Sequence, residues 1–310
     1  MKMKGILALA VLTMVSLAGA EAAEDGLSSG LDSPRTRQYR EILKLQENGM
    51  HNRSRIRFRE VGRQFRDSDP EGYAVLSEVI MGIPSYEHRM ERFINSHPYS
   101  RLIPQIRYRH ALNLFDRQDY KAAGELLDSI PPVHIERSQV NEYLFKKAYC
   151  ELERGDADKA LLRFMELEKR PVSDYTAPAR YSIAYINYGK KNFVEALSWF
   201  EKSVSDGRFT EMSNYYIMEC RFMMKDYDYV TENGDRMYRS IPEDRKPHLA
   251  RIISESWLVL GNASEARRYY DLTARAAGAP KSRTDWFYSG SVLYAVEDYK
   301  GAIESFNMMQ

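Results

Sequence analysis

Along residues 141–200 the apolar positions recur with helical spacing, and the recurrence is broken at matching places. The run YLFKKAYCELERGDADKALLRFMELEKRP is followed by APARYSIAYINYGKKNFVEALSWFEKSV. In each, a helical stretch meets a short turn containing Gly or Asn, and a second helical stretch sets an alanine four residues before an aromatic ring. Along the whole chain that alanine falls at Ala123, Ala160, Ala196, Ala266 and Ala302, with Val230 in the one slot that lacks it. Successive members stand 37, 36, 34, 36 and 36 residues apart, a fixed period that predicts a solenoid of helix pairs. Four residues further on lie Leu127, Phe164, Phe200, Tyr270 and Phe306. Small side chains such as Ala148 and Ala160, or Ala184 and Ala196, let the two helices of a pair cross closely, and Phe164 and Phe200 then fill the space toward the next pair. No pair buries its apolar faces alone, so stability comes from stacking. Strand-like alternation is almost absent, and the pattern predicts an all-α chain.

The individual pairs can be placed. His110 to Phe115 is expected to pack against Tyr120 to Leu127, with Pro131 and Pro132 ending that pair. Gly155-Asp156, Gly189 to Asn192 and Gly261-Asn262 turn later ones. The fourth copy carries Val230 and Gly234 where alanine and an aromatic ring are expected, so a local irregularity is predicted, with Met223, Met224 and Met237 as adaptable fillers. Toward the N-terminus the pattern diverges. Two helices are read around Gly49, and Glu71 to His97 gives a second degenerate pair whose short second helix, Ser85 to Phe93, follows the restricted Ile83-Pro84 step.

With Trp286, Gly290, Ala302 and Phe306 in one copy, Ala148 and Ala184 in the glycine slot of others, and Pro242 in the closing proline slot, the chain from Pro104 to Gln310 resembles the tetratricopeptide repeat family. The resemblance implies an all-α, right-handed α-solenoid of helix-turn-helix repeats, about seven to eight pairs in all. It also implies that the first helix of each pair lines an inner groove. The groove positions hold Tyr108, Leu112 and Phe115; Phe145, Tyr149 and Leu152; Tyr181, Tyr185 and Tyr188; and Tyr215, Glu219 and Phe222. They continue as Arg251, Glu255 and Leu258, then Phe287, Ser291 and Tyr294. The candidate partner-binding rings are Tyr108, Phe115, Phe145, Tyr149, Tyr181, Tyr185, Tyr188, Tyr215 and Phe222. Stiff amphipathic rings suit peptide or glycan contact because they bury area at low entropy cost and still offer a hydrogen bond.

The chain opens with Lys2 and Lys4, an apolar run from Ile6 to Leu17, and the small-residue sites Ala18-Gly19-Ala20 and Ala20-Glu21-Ala22. That order is expected of a cleaved secretory signal, and no cysteine follows it to take a lipid. The expected plan is therefore a signal peptide over 1–22, a polar lead over 23–34, divergent helical repeats over 35–103, and regular repeats over 104–310 that continue past Gln310. A periplasmic protein follows from the signal. No later stretch reaches membrane-spanning length.

Charge and chemistry narrow the function classes. The chain has 310 residues and a formal net charge of +1, which argues for neither nucleic acid nor an anionic membrane surface. Locally, Arg35 to Arg66 holds ten basic residues against three Glu, and a solvated surface or a contact for an acidic partner both fit that run. The two cysteines, Cys150 and Cys220, are expected to be unlinked small hydrophobes. None of the six histidines has a partner at metal-ligand spacing, and no nucleotide-binding or nucleophile motif occurs. A non-enzymatic scaffold without cofactor is expected, binding a protein or peptide partner in an envelope transport, secretion or assembly complex. The alternative is a glycan or cell-wall module using the tyrosine-rich groove.

Overall fold

The structure is a computed structural model. It describes residues 34–65, 68–277 and 282–309, so the leading segment with its cleavage sites lies outside the described residues. Two compact units divide the chain, Met1–Tyr175 and Thr176–Gln310. In the first, α1 (Pro34–Glu47) pairs with α2 (His51–Phe65) and α3 (Ser68–Ile80) with α4 (Tyr86–Ser96). There α5 (Ile103–Asp116) pairs with α6 (Tyr120–Asp128), and α7 (Val140–Glu153) with α8 (Ala157–Glu168). In the second, α9 (Thr176–Gly189) pairs with α10 (Phe193–Ser203) and α11 (Thr210–Met223) with α12 (Tyr227–Ser240). Its last two pairs are α13 (Lys246–Val259) with α14 (Ala263–Ala277), and α15 (Arg283–Ala295) with α16 (Tyr299–Asn307). Among the described residues there is no strand, and no helix is long and apolar enough to cross a membrane.

One turn is repeated in all eight pairs of the described residues. The second residue after each first helix takes φ between 59° and 90°: Gly49, Gly82, Gln118 and Gly155 in the first unit, Lys191, Lys225, Gly261 and Glu297 in the second. Its N–H donates to the carbonyl three residues back and the next N–H to the carbonyl five back, as in Gln118 to Phe115 and Asp119 to Leu114, both 2.9 Å. These two bonds satisfy carbonyls that a helix end otherwise leaves without donors. From the third pair onward an Asp or Asn comes next: Asp119, Asp156, Asn192, Asp226, Asn262 and Asp298. Asp119, Asp226 and Asp298 accept from the N–H of Ala122, Tyr229 and Gly301, so one short segment closes the first helix and caps the second. Gly49 and Gly82 occupy the same place, which puts the two divergent pairs in phase with the rest.

The predicted contact alanines are all buried: Ala123, Ala148, Ala160, Ala184, Ala196, Ala266 and Ala302. The closeness they permit is visible in the fifth regular copy, where Ser254 Oγ on α13 donates to the carbonyl of Ala266 on α14 at 2.5 Å. At Gly290 a Cβ atom would stand 2.5 Å from the ring of Phe306, so the last pair closes only around glycine. The irregular fourth copy is repaired differently from the expectation. Met223 and Met224, at 50% and 39% exposure, face outward, and only Met237 is buried. The space at Gly234 is taken by Ile253 of α13, whose Cγ2 lies 3.1 Å from where a Cβ would be. The filler comes from the next pair because stacking already brings that branched side chain to the seam.

Each divergent pair completes its core with side chains of the pair that follows. Tyr39, Ile42, Phe58, Val61 and Ala74 form one, and Val75, Val79, Tyr86, Phe93 and Ile106 belong to the next. In the second unit the seam is aromatic: Phe200 stacks on Tyr216 at 5.0 Å and Tyr181 on Phe209 at 5.2 Å. Cys150 and Cys220 are free and buried, and burial pushes each thiol up to about 12, which keeps it unreactive.

Candidate functional site

The nine candidate rings do not share one environment. Tyr108, Phe115, Phe145, Tyr149, Tyr181 and Tyr215 are buried, whereas Tyr185, Tyr188 and Phe222 are half-buried. The buried six pack within their own units. Phe115 meets Tyr149 edge-on at 5.4 Å, Phe145 lies 5.6 Å from Phe164, and Tyr181 lies 5.6 Å from Phe200. The cause is size: beside a helix crossing held close by alanine, a large ring at these positions reaches the neighbouring helix before it reaches solvent.

In the first unit the polar atoms of this face are also satisfied internally. Tyr108 donates to Glu142 at 3.0 Å, Lys146 Nζ lies 3.1 Å from Asp116, and the same ammonium sits 4.5 Å above the Phe115 ring. Tyr108, Glu142 and Lys146 are all buried.

The second unit opens a cleft of about 250 Å³ across three consecutive first helices. Tyr188 of α9, Glu219, Phe222 and Met223 of α11, and His248, Arg251, Ile252 and Glu255 of α13 line it. Five of these eight, Tyr188, Glu219, Phe222, Arg251 and Glu255, occupy groove positions named from the sequence. Tyr188 and Phe222 are the candidate rings that reach it.

Its floor is a hydrogen-bonded carboxylate. Glu219 accepts the hydroxyl of Tyr215 in a short bond, and its Oε1 lies 3.2 Å from His248 Nδ1. That imidazole nitrogen is also 3.1 Å from the Tyr215 hydroxyl. Burial, with a hydrogen bond to Glu219, holds the Tyr188 phenol above its usual range, and burial with the Glu219 charge does the same for Tyr215. On the wall, Arg251 Nε donates to Glu255 at 2.7 Å and Nη1 to Asp285 at 2.5 Å, while its guanidinium lies over the Tyr288 ring at 5.2 Å. Asp285 is itself fixed, accepting from the backbone N–H of its capping partner Ser282 at 3.0 Å. The cleft thus offers a held arginine, two carboxylates and an imidazole beside apolar walls, with Met223 projecting at its edge.

Met223, His248 and Ile252 escaped the groove positions taken from the sequence. His248 stands one residue after the Pro247 that opens α13, and its aim at Glu219 depends on the packing of α13 against α11. Among the described residues no group of three or more His, Cys, Asp or Glu side chains is placed to hold a metal ion.

No family model and no curated protein matches the chain. Among solved structures it is similar to the apo form of RapI, at 15% identity and a TM-score of 0.50, over 89% of this chain and 86% of that one. It is also similar to PilW, a widely conserved type IV pilus biogenesis factor, at 16% identity and a TM-score of 0.49, over 67% of this chain and 92% of that one. A tetratricopeptide repeat protein from Parabacteroides merdae matches at 12% identity and a TM-score of 0.41, over 86% of this chain and 99% of that one. Likenesses at such identity speak for the fold alone. In its paired helices, period and repeated turn, the chain has an all-α helical-repeat fold resembling that of tetratricopeptide-like solenoid proteins.

Proposed function

We propose that the protein is a non-enzymatic interaction scaffold that takes an extended segment of a partner protein into the cleft formed by α9, α11 and α13. The observation that carries this is the convergence of Tyr188, Phe222, Met223 and Ile252 with Glu219, His248, Arg251 and Glu255 in one opening. A peptide offers both what the apolar wall takes and what the ions pair with. A glycan is less well served, because the hydroxyls of Tyr188 and Tyr215 are already directed at Glu219. The signal-like segment around Lys2, Lys4 and Ile6 to Leu17 supports export and action in an envelope complex.

The test is site-specific photocrosslinking in the native host. A photoreactive side chain at Met223 is expected to trap a defined protein, and the same group at exposed Val172 is not. Equal crosslinking at both positions, or enrichment of a polysaccharide only, would overturn the proposal. N-terminal sequencing of the same material is expected to begin at Glu21 or Ala23, and recovery of an intact Met1 form would reject export.

A further inference from the structure

Away from the cleft, the strongest imbalance of charge lies on α2, which carries Arg53, Arg55, Arg57, Arg59 and Arg63 against a single Glu60. Ser54, Phe58 and Val61 face the core, and at 100° per residue the remaining arc holds all five arginines. The helix has no acidic residue in its first turn, so Arg53 stands at the positive end of the helix dipole with nothing to offset it.

The inner edge of this face is fixed by Glu78 of α3, which is 0% exposed. Its Oε1 takes Arg59 Nη2 and lies 3.7 Å from Arg55 Nη1, and its Oε2 takes Arg89 Nε from α4. Arg55 is held further by Asn52 Oδ1 at 2.8 Å, and Arg89 by the carbonyl of Pro84 at 3.3 Å. One carboxylate facing three guanidiniums neutralises one of them and orders the other two. The outer edge is different. Arg53, Arg57 and Arg63 are exposed, and among the described residues no carboxylate pairs with them; Arg53 Nη1 lies 3.9 Å from Met50 Sδ. Between the two edges Ile56, one turn from both Arg53 and Arg59, is 47% exposed.

We propose that the outer face of α2 is a second docking surface, independent of the cleft, for an acidic segment of a partner protein that covers Ile56 with an apolar side chain. Charge complementarity supplies the steering, and arginine forks already oriented by Glu78 receive carboxylates at reduced entropic cost. From Arg53 to Arg63 the arginines cover about 15 Å of the helix axis, a span that suits an extended polyanion and exceeds a single small anion. Ile56 selects among polyanions. A nucleic-acid backbone leaves it against charged phosphates, and a membrane requires more than one apolar side chain on the face.

The experiment is fluorescence anisotropy of the full chain with a labelled eight-residue peptide of Glu and Asp around one central Leu. Saturable binding is expected, weakened about ten-fold or more between about 50 and about 500 mM salt. R53E/R57E is expected to weaken it by about ten-fold or more and the milder R53Q/R57Q by about five-fold, with helicity unchanged by circular dichroism. Lys121→Glu, a reversal on exposed α6, should leave it within about two-fold, and replacing the peptide's Leu with Ser should cost about three-fold. Absence of saturable binding at the lower salt overturns the proposal, as does undiminished affinity of a folded R53Q/R57Q variant. Tighter binding to phosphatidylglycerol vesicles or to a single-stranded oligonucleotide of matched charge does so too, by assigning the face to another class of anion.

Discussion

Single residues set the turns and seams of this molecule, and several can be tested directly. Gln118, Lys191, Lys225 and Glu297 are held at φ of 62° or 63°, a region that disfavours any side chain with a Cβ and suits glycine. Lys225→Gly and Glu297→Gly are therefore expected to stabilise the fold by about 0.5–1 kcal/mol each, net of glycine's greater entropy when unfolded; denaturant midpoints check this. The opposite sign is expected for Gly290→Ala, whose methyl would overlap the Phe306 ring and cost about 1–3 kcal/mol by overpacking. Glu78→Ala strands three arginines around a vacated buried site and should cost about 3 kcal/mol, the low end for a broken buried pair because the arginines reach solvent. At this scale the sequence was partly transparent. Gly49, Gly155 and Gly261 announce their turns, but nothing in Gln118 or Glu297 does, since register imposes their conformation against their preference. Burial of Tyr108 and Tyr181 was equally hidden, because helical spacing assigns a face and leaves open how deeply a ring sinks into it.

Among the elements, the first helices carry both the polar network and the largest rings, and they give the chain an alkaline limit. Burial holds the phenols of Tyr108, Tyr149, Tyr181 and Tyr215 above their ordinary range, aided by Glu142, Glu153, Tyr216 and Glu219 respectively. A group whose folded value is raised contributes stability fully below the unfolded value, here about 10, and loses it as pH rises beyond. Phenolate absorbance from these four rings is thus expected to lag behind that of free tyrosine as the pH rises past about 10. The buried rings should follow together with loss of helicity, and ionisation of every tyrosine in a folded protein would contradict this. The pairing of helices was legible from the alanine spacing, and groove positions taken from the family resemblance reached five of the eight cleft residues. What spacing alone could not convey is that Tyr188, Tyr215, Glu219 and His248 converge, because residues 29 to 33 positions apart meet only through stacking. The same applies to Glu78, which looks unremarkable in α3 until α2 and α4 bring their arginines to it.

For the molecule as a whole, period and helix class were legible, while its compact units were not. The side-chain pattern changes character near Pro104, whereas compactness divides the chain between Tyr175 and Thr176, in the midst of regular repeats. Regularity reports how alike the pairs are, and compactness reports how densely they touch. In a stack where each pair contacts its neighbours, damage is local. Hydrogen exchange of Gly290→Ala is accordingly expected to quicken in α15 and α16 and to leave α5 to α8 at their original rates, and uniform loss of protection would refute that. The recurring left-handed turn has a further consequence for how such a chain lengthens. Joining the residue before Lys225 directly to Gly261 removes 36 residues, the second helix of one pair and the first helix of the next, and α11 then meets the turn and the capping Asn262 that α13 met before. The turns behave as interchangeable splice points, at which exchange between unequal copies adds or deletes whole helix pairs without shifting the register of any other.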